Sequence, residues 1–150
     1  MASRPDIMFA TCLCARNQAY PNVNHMLAAK KIMRYLKGTP SLGLWYPRKD
    51  GFDLTAYSDS DYGGCKIDFK STCGGCQFLG SRLTKHIRIK YYFIRDCYEK
   101  KLIDVLQIGT TTQRADLFTK AFDRLRFLFL LNVLGVKERA EVVSDKELLK

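Results

Sequence analysis

Apolar side chains recur at helical spacing along the first forty residues. Residues 6–16 are mostly apolar and follow Pro5, a residue that favours the first position of a helix. After a turn-rich loop, the spacing predicts a second helix over residues 25–37, with Asn24 as its N-cap and Gly38 as its end. The N-terminal part of the chain is therefore predicted to be helical.

The period of the pattern changes to two after residue 42. Residues 42–47 and 52–64 alternate between apolar and polar positions, which predicts two strands, and a further strand is predicted over residues 70–79. An acidic cluster at residues 59–61 lies where the second of these strands ends. Together these segments predict a short hairpin sheet.

The segment over residues 82–101 is ambiguous, because its apolar positions fit both a strand and a helix. Its length and the cap position of Thr84 favour a helix. The elements predicted further along are a strand over residues 102–108, a helix that opens with a capping box from Thr110 to Gln113, a helix over residues 123–134 that Gly135 ends, and a polar, frayed tail over residues 138–150.

The positive charge of the ambiguous segment suggests a function for it. The chain carries 25 lysines and arginines against 15 acidic residues, a net charge of +10. Such an excess is typical of proteins with a polyanionic partner, most often nucleic acid, although a solvated basic surface explains it equally well. Cations interleaved with tyrosines suit a phosphate backbone and stacked bases. The alternative is an amphipathic helix with a hydrated basic face. The candidate nucleic-acid-binding residues are Lys85, Arg88, Lys90, Tyr91 and Arg95.

The pattern of a secretory signal or a membrane span is missing from this sequence. Its first residues lack a long apolar run, and its most apolar stretch, Phe127 to Val136, is about half the length needed to cross a bilayer. We therefore expect an intracellular chain, cytoplasmic and/or nuclear, without a membrane partner.

Six cysteines are expected to be reduced thiols in such a compartment. Cys73 and Cys76 have the CxxC spacing of a zinc or redox site, but a structural zinc usually needs a second pair, which the sequence lacks. A zinc-binding interaction domain is therefore a minor alternative. The other interpretation is that Gly74 and Gly75 form a bend or a turn.

Two acidic side chains stand where catalytic groups are often found. Asp59 lies at a strand end, and Asp116 lies in the first turns of a helix that follows a strand. Metal-dependent nucleases use several converging carboxylates to hold two divalent ions, which orient the attacking water and stabilise the leaving oxygen. On spacing alone, Asp59 is better explained as a turn residue and Asp116 as an acid favoured by the helix dipole.

Longer strings, in matching order along the chain, resemble copia-type retrotransposon Pol polyproteins. Those similar to the end of the reverse transcriptase region are SRPDI at residues 3–7, KIMRYLKGT at 31–39 and LGLWY at 42–46. Those similar to the ribonuclease H domain are YSDSDYGG at residues 57–64, KSTCG at 70–74, FLG at 78–80, TKHI at 84–87, FIRD at 93–96 and QRADLFTK at 113–120.

The resemblance implies roles for the two aspartates. Asp59 corresponds to the first metal-binding aspartate of the ribonuclease H set and Asp116 to the last, with Mg2+ as the implied cofactor and an RNA–DNA hybrid as the implied substrate. The glutamate and aspartate that the family carries between them have no counterpart here. The chain passes from Leu83 directly to Thr84, where the family has two strands and two helices. Arg88 stands where the family usually has an acidic residue.

The predicted fold is α/β, a truncated ribonuclease H-like layer with a short N-terminal hairpin sheet and helices. Incomplete folding is left open, because loss of the central strand would leave unpaired edges and exposed apolar surface. The predicted parts are a helical tail of the reverse transcriptase region at residues 1–45, the ribonuclease H-like remnant at 46–123 with an apparent deletion near 83–84, and a C-terminal helix with a polar tail at 124–150.

The activity that the resemblance implies is cleavage of RNA in RNA–DNA hybrids during reverse transcription. We expect this activity to be lost, because half of the metal-binding carboxylates are missing, and Asp59 with Asp116 would hold Mg2+ only weakly. A small basic nucleic-acid-binding module without catalysis is the alternative. A dimer that pools its carboxylates into an active nuclease is a minor one.

Overall fold

The computed structural model describes residues 4–46, 53–65, 69–80, 82–83 and 96–139. The predicted nucleic-acid-binding residues lie outside the described residues, so their role stays a prediction; they are Lys85, Arg88, Lys90, Tyr91 and Arg95.

The described elements include both helices and short strands, which confirms a mixed α/β class. In chain order they are a 3-10 turn, Pro5–Ile7; helix α1, Met8–Arg16; helix α2, Val23–Gly38; strand β1, Leu42–Leu44; strand β2, Leu54–Asp61; strand β3, Thr72–Leu79; strand β4, Arg82–Leu83; a 3-10 helix, Arg114–Phe118; helix α3, Arg124–Val133; and strand β5, Val136–Glu138. In this part of the chain, every helix is too short or too polar to cross a bilayer.

Helix α2 begins two residues earlier than the sequence predicts. The N-cap is Asn22 and not Asn24, since the Asn22 backbone is extended and its side chain accepts a hydrogen bond from the His25 backbone N–H at 3.0 Å. The Nδ1 atom of His25 accepts a bond from the Asn22 N–H at 3.2 Å in return. This reciprocal pair satisfies both donors, whereas Asn24 already lies inside the first turn.

A buried ion pair ties the first turn to the end of α2. Arg4 donates to both carboxylate oxygens of Asp6, with Nη2 2.8 Å from Oδ2, and the Asp6 side chain is fully buried. The other arm of the guanidinium donates to the Thr39 carbonyl oxygen at 2.8 Å. Burial, reinforced by Asp6, raises the pKa of the neighbouring Tyr35 to about 12. The Arg4-Pro5-Asp6 sequence therefore has a structural role, because it holds the first turn against the end of α2.

The strands form two small antiparallel sheets, of which the sequence predicts only one. Strands β2, β3 and β4 lie side by side in that order, with Asp59 opposite Gly74, and this confirms the predicted hairpin. Strand β1 pairs with β5, so that Leu44 lies opposite Val136. The polar tail predicted from residue 138 therefore begins as the end of a strand, while the division of the chain at residues 45 and 123 stays a prediction.

The CxxC string lies inside strand β3. Gly74 and Gly75 are both strand residues, so the predicted bend or turn is wrong. Residues three apart on a strand face opposite sides, which leaves Cys73 exposed and Cys76 buried. Among the described residues, no three His, Cys, Asp or Glu side chains are grouped so that they could hold a metal. The zinc alternative therefore has no support from this part of the chain.

Two predictions between β4 and α3 are wrong. Residues 102–108 form no strand, and Leu106 is 80% exposed. A short apolar segment forms a strand only where the backbone of a neighbouring segment can complete its hydrogen bonds. Thr110 lies in a turn, and the cap of the 3-10 helix is Gln113, whose side chain accepts from the Ala115 N–H at 3.2 Å.

Helix α3 agrees with its prediction at both ends. The Asp123 carboxylate caps it by accepting from the backbone N–H groups of Leu125 and Arg126 at 2.9 and 3.0 Å. Gly135, with a φ of +77°, ends it in a conformation that favours glycine. In the ambiguous segment, residues 96–99 are helical and residues 82–83 form β4, and the residues between them lie outside the described part.

The core lies between β3, the 3-10 helix and α3. The most deeply buried large side chains are those of Phe78, Leu130 and Leu134. The other members of the buried cluster are Cys76, Leu83, Ala115, Leu117, Phe118, Leu131 and Val136. The 3-10 helix therefore packs most of its side chains inward, which places the residues that follow it against the sheet.

Replacement of Gly74 by alanine should destabilise this packing. A Cβ atom there would lie 2.6 Å from Phe118 Cβ and 3.3 Å from the Ala115 carbonyl oxygen, so the 3-10 helix would have to move away. We expect the free energy of unfolding to fall by about 1–3 kcal/mol in urea denaturation, the usual cost of overpacking. Gly43→Ala is the control, since no atom lies within 4 Å of its added Cβ. Equal losses in both variants would contradict the packing argument.

Candidate carboxylate site

Strand β2 and the 3-10 helix bring two carboxylates to one junction. Asp59 lies on the same face of β2 as Tyr57, because residues two apart on a strand share a face. The Arg114 guanidinium stacks over the Tyr57 ring, which shows that the 3-10 helix covers this face. Gly74 lies opposite Asp59 and has no side chain, so the end of the 3-10 helix approaches the strand closely. Asp116 is thereby carried towards Asp59.

A lysine lies between the two carboxylates. Lys120 Nζ is 3.1 Å from Asp116 Oδ1 and 3.5 Å from Asp59 Oδ2. The Thr119 hydroxyl donates to Asp59 Oδ2 at 2.5 Å. The Asp116 side chain is only 3% exposed, while that of Lys120 is 34% exposed and closes the junction from the solvent side. The site is therefore an ion-paired cluster of four side chains at the interface of β2 with the 3-10 helix.

The two aspartates differ in their affinity for a proton. Burial raises the pKa of Asp116, and the nearby Asp59 carboxylate adds to this, although Lys120 opposes it. Burial also raises the pKa of Asp59, but the hydrogen bond from Thr119 and the charge of Lys120 outweigh it and hold this pKa below its usual value. Burial lowers the pKa of Lys120, and the two carboxylates more than compensate, so it lies above its usual value. Asp59 is thus the stronger acid of the pair.

Two further side chains hold the 3-10 helix on the sheet. Gln113 Nε2 donates to the Ser58 carbonyl oxygen at 3.0 Å, while the other end of its amide caps the 3-10 helix. The Arg114 guanidinium carbon lies 5.1 Å from the ring centroid of Tyr57 and 4.9 Å from that of Phe78. These contacts fix the register between Asp59 and the helix that carries Asp116.

The structure places both predicted aspartates at one junction and leaves their metal-binding role a prediction. Asp61, in the same acidic cluster, lies apart with its carboxylate against Gly64. Thr119 and Lys120 also belong to the site and were not predicted from the sequence. Their position three and four residues after Asp116, about one helical turn, was the available signal.

The residues present do not fit a pair of magnesium ions. Two-metal hydrolysis requires several carboxylates that converge on both ions, and Mg2+ prefers six oxygen ligands in a near-ideal octahedron. The described residues supply two carboxylates, and each already has an oxygen facing Lys120. We therefore derive no reaction step through a metal.

Comparison with known proteins identifies the relatives of this chain. It is 26% identical to the retrovirus-related Pol polyprotein from transposon RE1 of Arabidopsis thaliana, over 89% of this chain and 14% of that protein. It is 23% identical to that from transposon TNT 1-94 of Nicotiana tabacum, over 91% of this chain and 15% of that protein. An uncharacterized mitochondrial protein of Arabidopsis thaliana, AtMg00240, is 31% identical over 51% of this chain and 69% of that protein.

These relatives define a class of mobile-element proteins. The chain is related to the copia-type, retrovirus-related Pol polyproteins of transposons, and its sequence is retrotransposon-derived. It spans about one seventh of the length of the Pol polyproteins that it matches. No family model matches it, and no solved structure does.

The lengths of these matches indicate an internal gap. The match to the RE1 polyprotein extends over 203 positions, although 89% of this 150-residue chain is only about 134 residues, so about 69 positions have no counterpart here. The match to the TNT 1-94 polyprotein extends over 204 positions and behaves in the same way. The relatives therefore contain sequence that this chain lacks between its matched parts. That the gap falls between Leu83 and Thr84 stays a prediction.

Replacement of Thr119 by valine should weaken the junction without changing its shape. Valine has nearly the shape of threonine but cannot donate to Asp59, so the carboxylate loses the hydrogen bond from the Thr119 hydroxyl. We expect the free energy of unfolding to fall by about 1–3 kcal/mol in urea denaturation. Thr112→Val removes a hydroxyl that bonds the Gly109 carbonyl in an exposed turn, and should cost under about 0.5 kcal/mol. If the two variants were equally stable, the Thr119 bond would contribute nothing.

Proposed function

We propose that this chain is a ribonuclease H-like remnant of a retrotransposon Pol polyprotein that has lost the ability to cut RNA. The observation that carries the proposal is the junction itself, where Asp59 and Asp116 share the ammonium of Lys120. The order of the matched strings supports the ribonuclease H assignment. The internal gap against the Pol polyproteins supports the loss of the two intervening carboxylates.

The chemistry explains why two carboxylates are too few. Hydrolysis of a phosphodiester by this class of enzyme needs one ion to activate the water and a second to stabilise the leaving oxygen. A single ion held by Asp59 and Asp116 would lack the second half of this clamp. Lys120 also supplies one positive charge where two divalent ions would supply four, so the developing charge of the transition state would be poorly balanced.

The proposal predicts no cleavage of an RNA–DNA hybrid. The purified chain is incubated with a labelled hybrid and millimolar Mg2+ or Mn2+, and products are separated on a denaturing gel. We expect the wild-type chain and its Asp59→Asn variant to give the same background. Cleavage by the wild type that Asp59→Asn abolishes would refute the proposal, and its dependence on protein concentration would show whether a dimer pools the carboxylates.

Nucleic-acid binding without catalysis is a second candidate, favoured by the net charge of +10. The candidate cations lie between residues 85 and 95, where the sequence also contains tyrosines that can stack on bases. Binding through phosphates releases counterions, so the affinity of such a module must fall steeply with salt.

Salt titration of hybrid binding tests this second candidate. A variant carrying Lys85→Gln, Arg88→Gln and Lys90→Gln should lose about one unit of the log–log salt slope for each phosphate contact removed. The control carries Lys30→Gln, Lys31→Gln and Arg34→Gln on α2, and so loses the same charge elsewhere. A wild-type affinity that does not change with salt, or an equal loss of slope in both variants, would argue against a binding segment at residues 84–95.

A further inference from the structure

We propose that Lys120 is the resident cation of the Asp59–Asp116 junction, so that the wild-type chain closes this site with its own ammonium and does not take up a divalent ion there. The inference rests on the proposed function in using the same two carboxylates. It adds the residue that excludes the metal, and its test does not depend on cleavage.

The lysine is held in place by its own backbone. The N–H groups of Thr119 and Lys120 both donate to the Asp116 carbonyl oxygen, at 3.0 and 3.1 Å. Residue 120 is therefore fixed one turn after Asp116, and its side chain folds back over the junction to reach both carboxylates. By contrast, Lys100 and Asp96 form a pair of the same spacing whose side chains are 62% and 52% exposed, so solvent screens their attraction.

One oxygen atom of each carboxylate is already engaged by a side chain of the junction. Asp59 Oδ2 accepts from Thr119 and faces Lys120, and Asp116 Oδ1 accepts from Lys120. An ammonium and a magnesium ion cannot share this space, because like charges a few ångströms apart repel strongly where solvent is partly excluded. Binding of Mg2+ would require the lysine to leave and its ion pairs to break.

Removal of the lysine should therefore open a cation site. In a Lys120→Met variant the two carboxylates would face each other without a counter-charge, with Asp116 almost fully buried. An uncompensated buried charge is strongly destabilising. A proton on Asp116 would neutralise one of the two carboxylates, whereas a divalent ion would compensate both. The wild-type fold, in contrast, should be indifferent to divalent ions.

Thermal unfolding of the full chain tests this. Midpoints are measured for wild type, Lys120→Met and Lys100→Met in MgCl2 and in NaCl of equal ionic strength. We expect the midpoint of Lys120→Met to fall by at least about 4 °C in NaCl and to recover at least half of the loss in MgCl2. Wild type and Lys100→Met should have equal midpoints in the two salts. A Lys120→Met variant that unfolds like wild type in both salts would overturn the inference.

A second measurement keeps the inference testable if Lys120→Met does not fold. Mn2+ is titrated into the wild-type chain, and paramagnetic broadening of backbone amide signals is followed by NMR. We expect Asp59, Asp116 and Thr119 to broaden no more than exposed acidic residues such as Asp96 and Glu99. Selective broadening at the junction would overturn the inference and, without cleavage of the hybrid, would leave the proposed function standing. Cleavage of the hybrid without selective broadening would refute the proposed function and would leave the inference about Lys120 standing.

Discussion

The close approach of the 3-10 helix to strand β3 is the contact on which the rest of the structure depends. Gly74 has no side chain, so Phe118 and Thr119 can lie against the strand. The approach buries Ala115 and Phe118 in the core and, on the same face, brings Asp116 within reach of the lysine that also contacts Asp59. Core packing and the carboxylate site are therefore two results of one contact.

The balance of charge at the junction gives both aspartates a structural role. Asp59 and Asp116 lie where the resemblance to ribonuclease H places metal ligands, yet their charges are balanced by Lys120 and the Thr119 hydroxyl. A carboxylate pair with no cation would destabilise the fold, because Asp116 is buried. Selection for a stable junction is thus enough to retain both aspartates, whether or not they act on a substrate.

Local patterns predicted most of the elements whose hydrogen bonds and contacts are made between residues close together in the chain. The spacing of apolar residues located α2, alternation located β2, and apolar runs with their flanking start and stop signals located α1, α3 and β3. The errors arose where a neighbour in space decided the outcome. Residues 102–108 are mostly apolar but form no strand. Gly74 and Gly75 suggest a bend but lie in β3, where the missing side chain of Gly74 admits the 3-10 helix.

The sequence by itself determined the relationship to Pol polyproteins, the hairpin, and the two aspartates as candidates, since each rests on residues close together in the chain. Only the tertiary structure decided that β1 pairs with β5 and that Lys120 lies between Asp59 and Asp116. Asp59 and Lys120 belong to separate elements, and their encounter depends on how the 3-10 helix packs on the sheet. Sequence spacing cannot report such a contact, because it arises from packing and not from local periodicity.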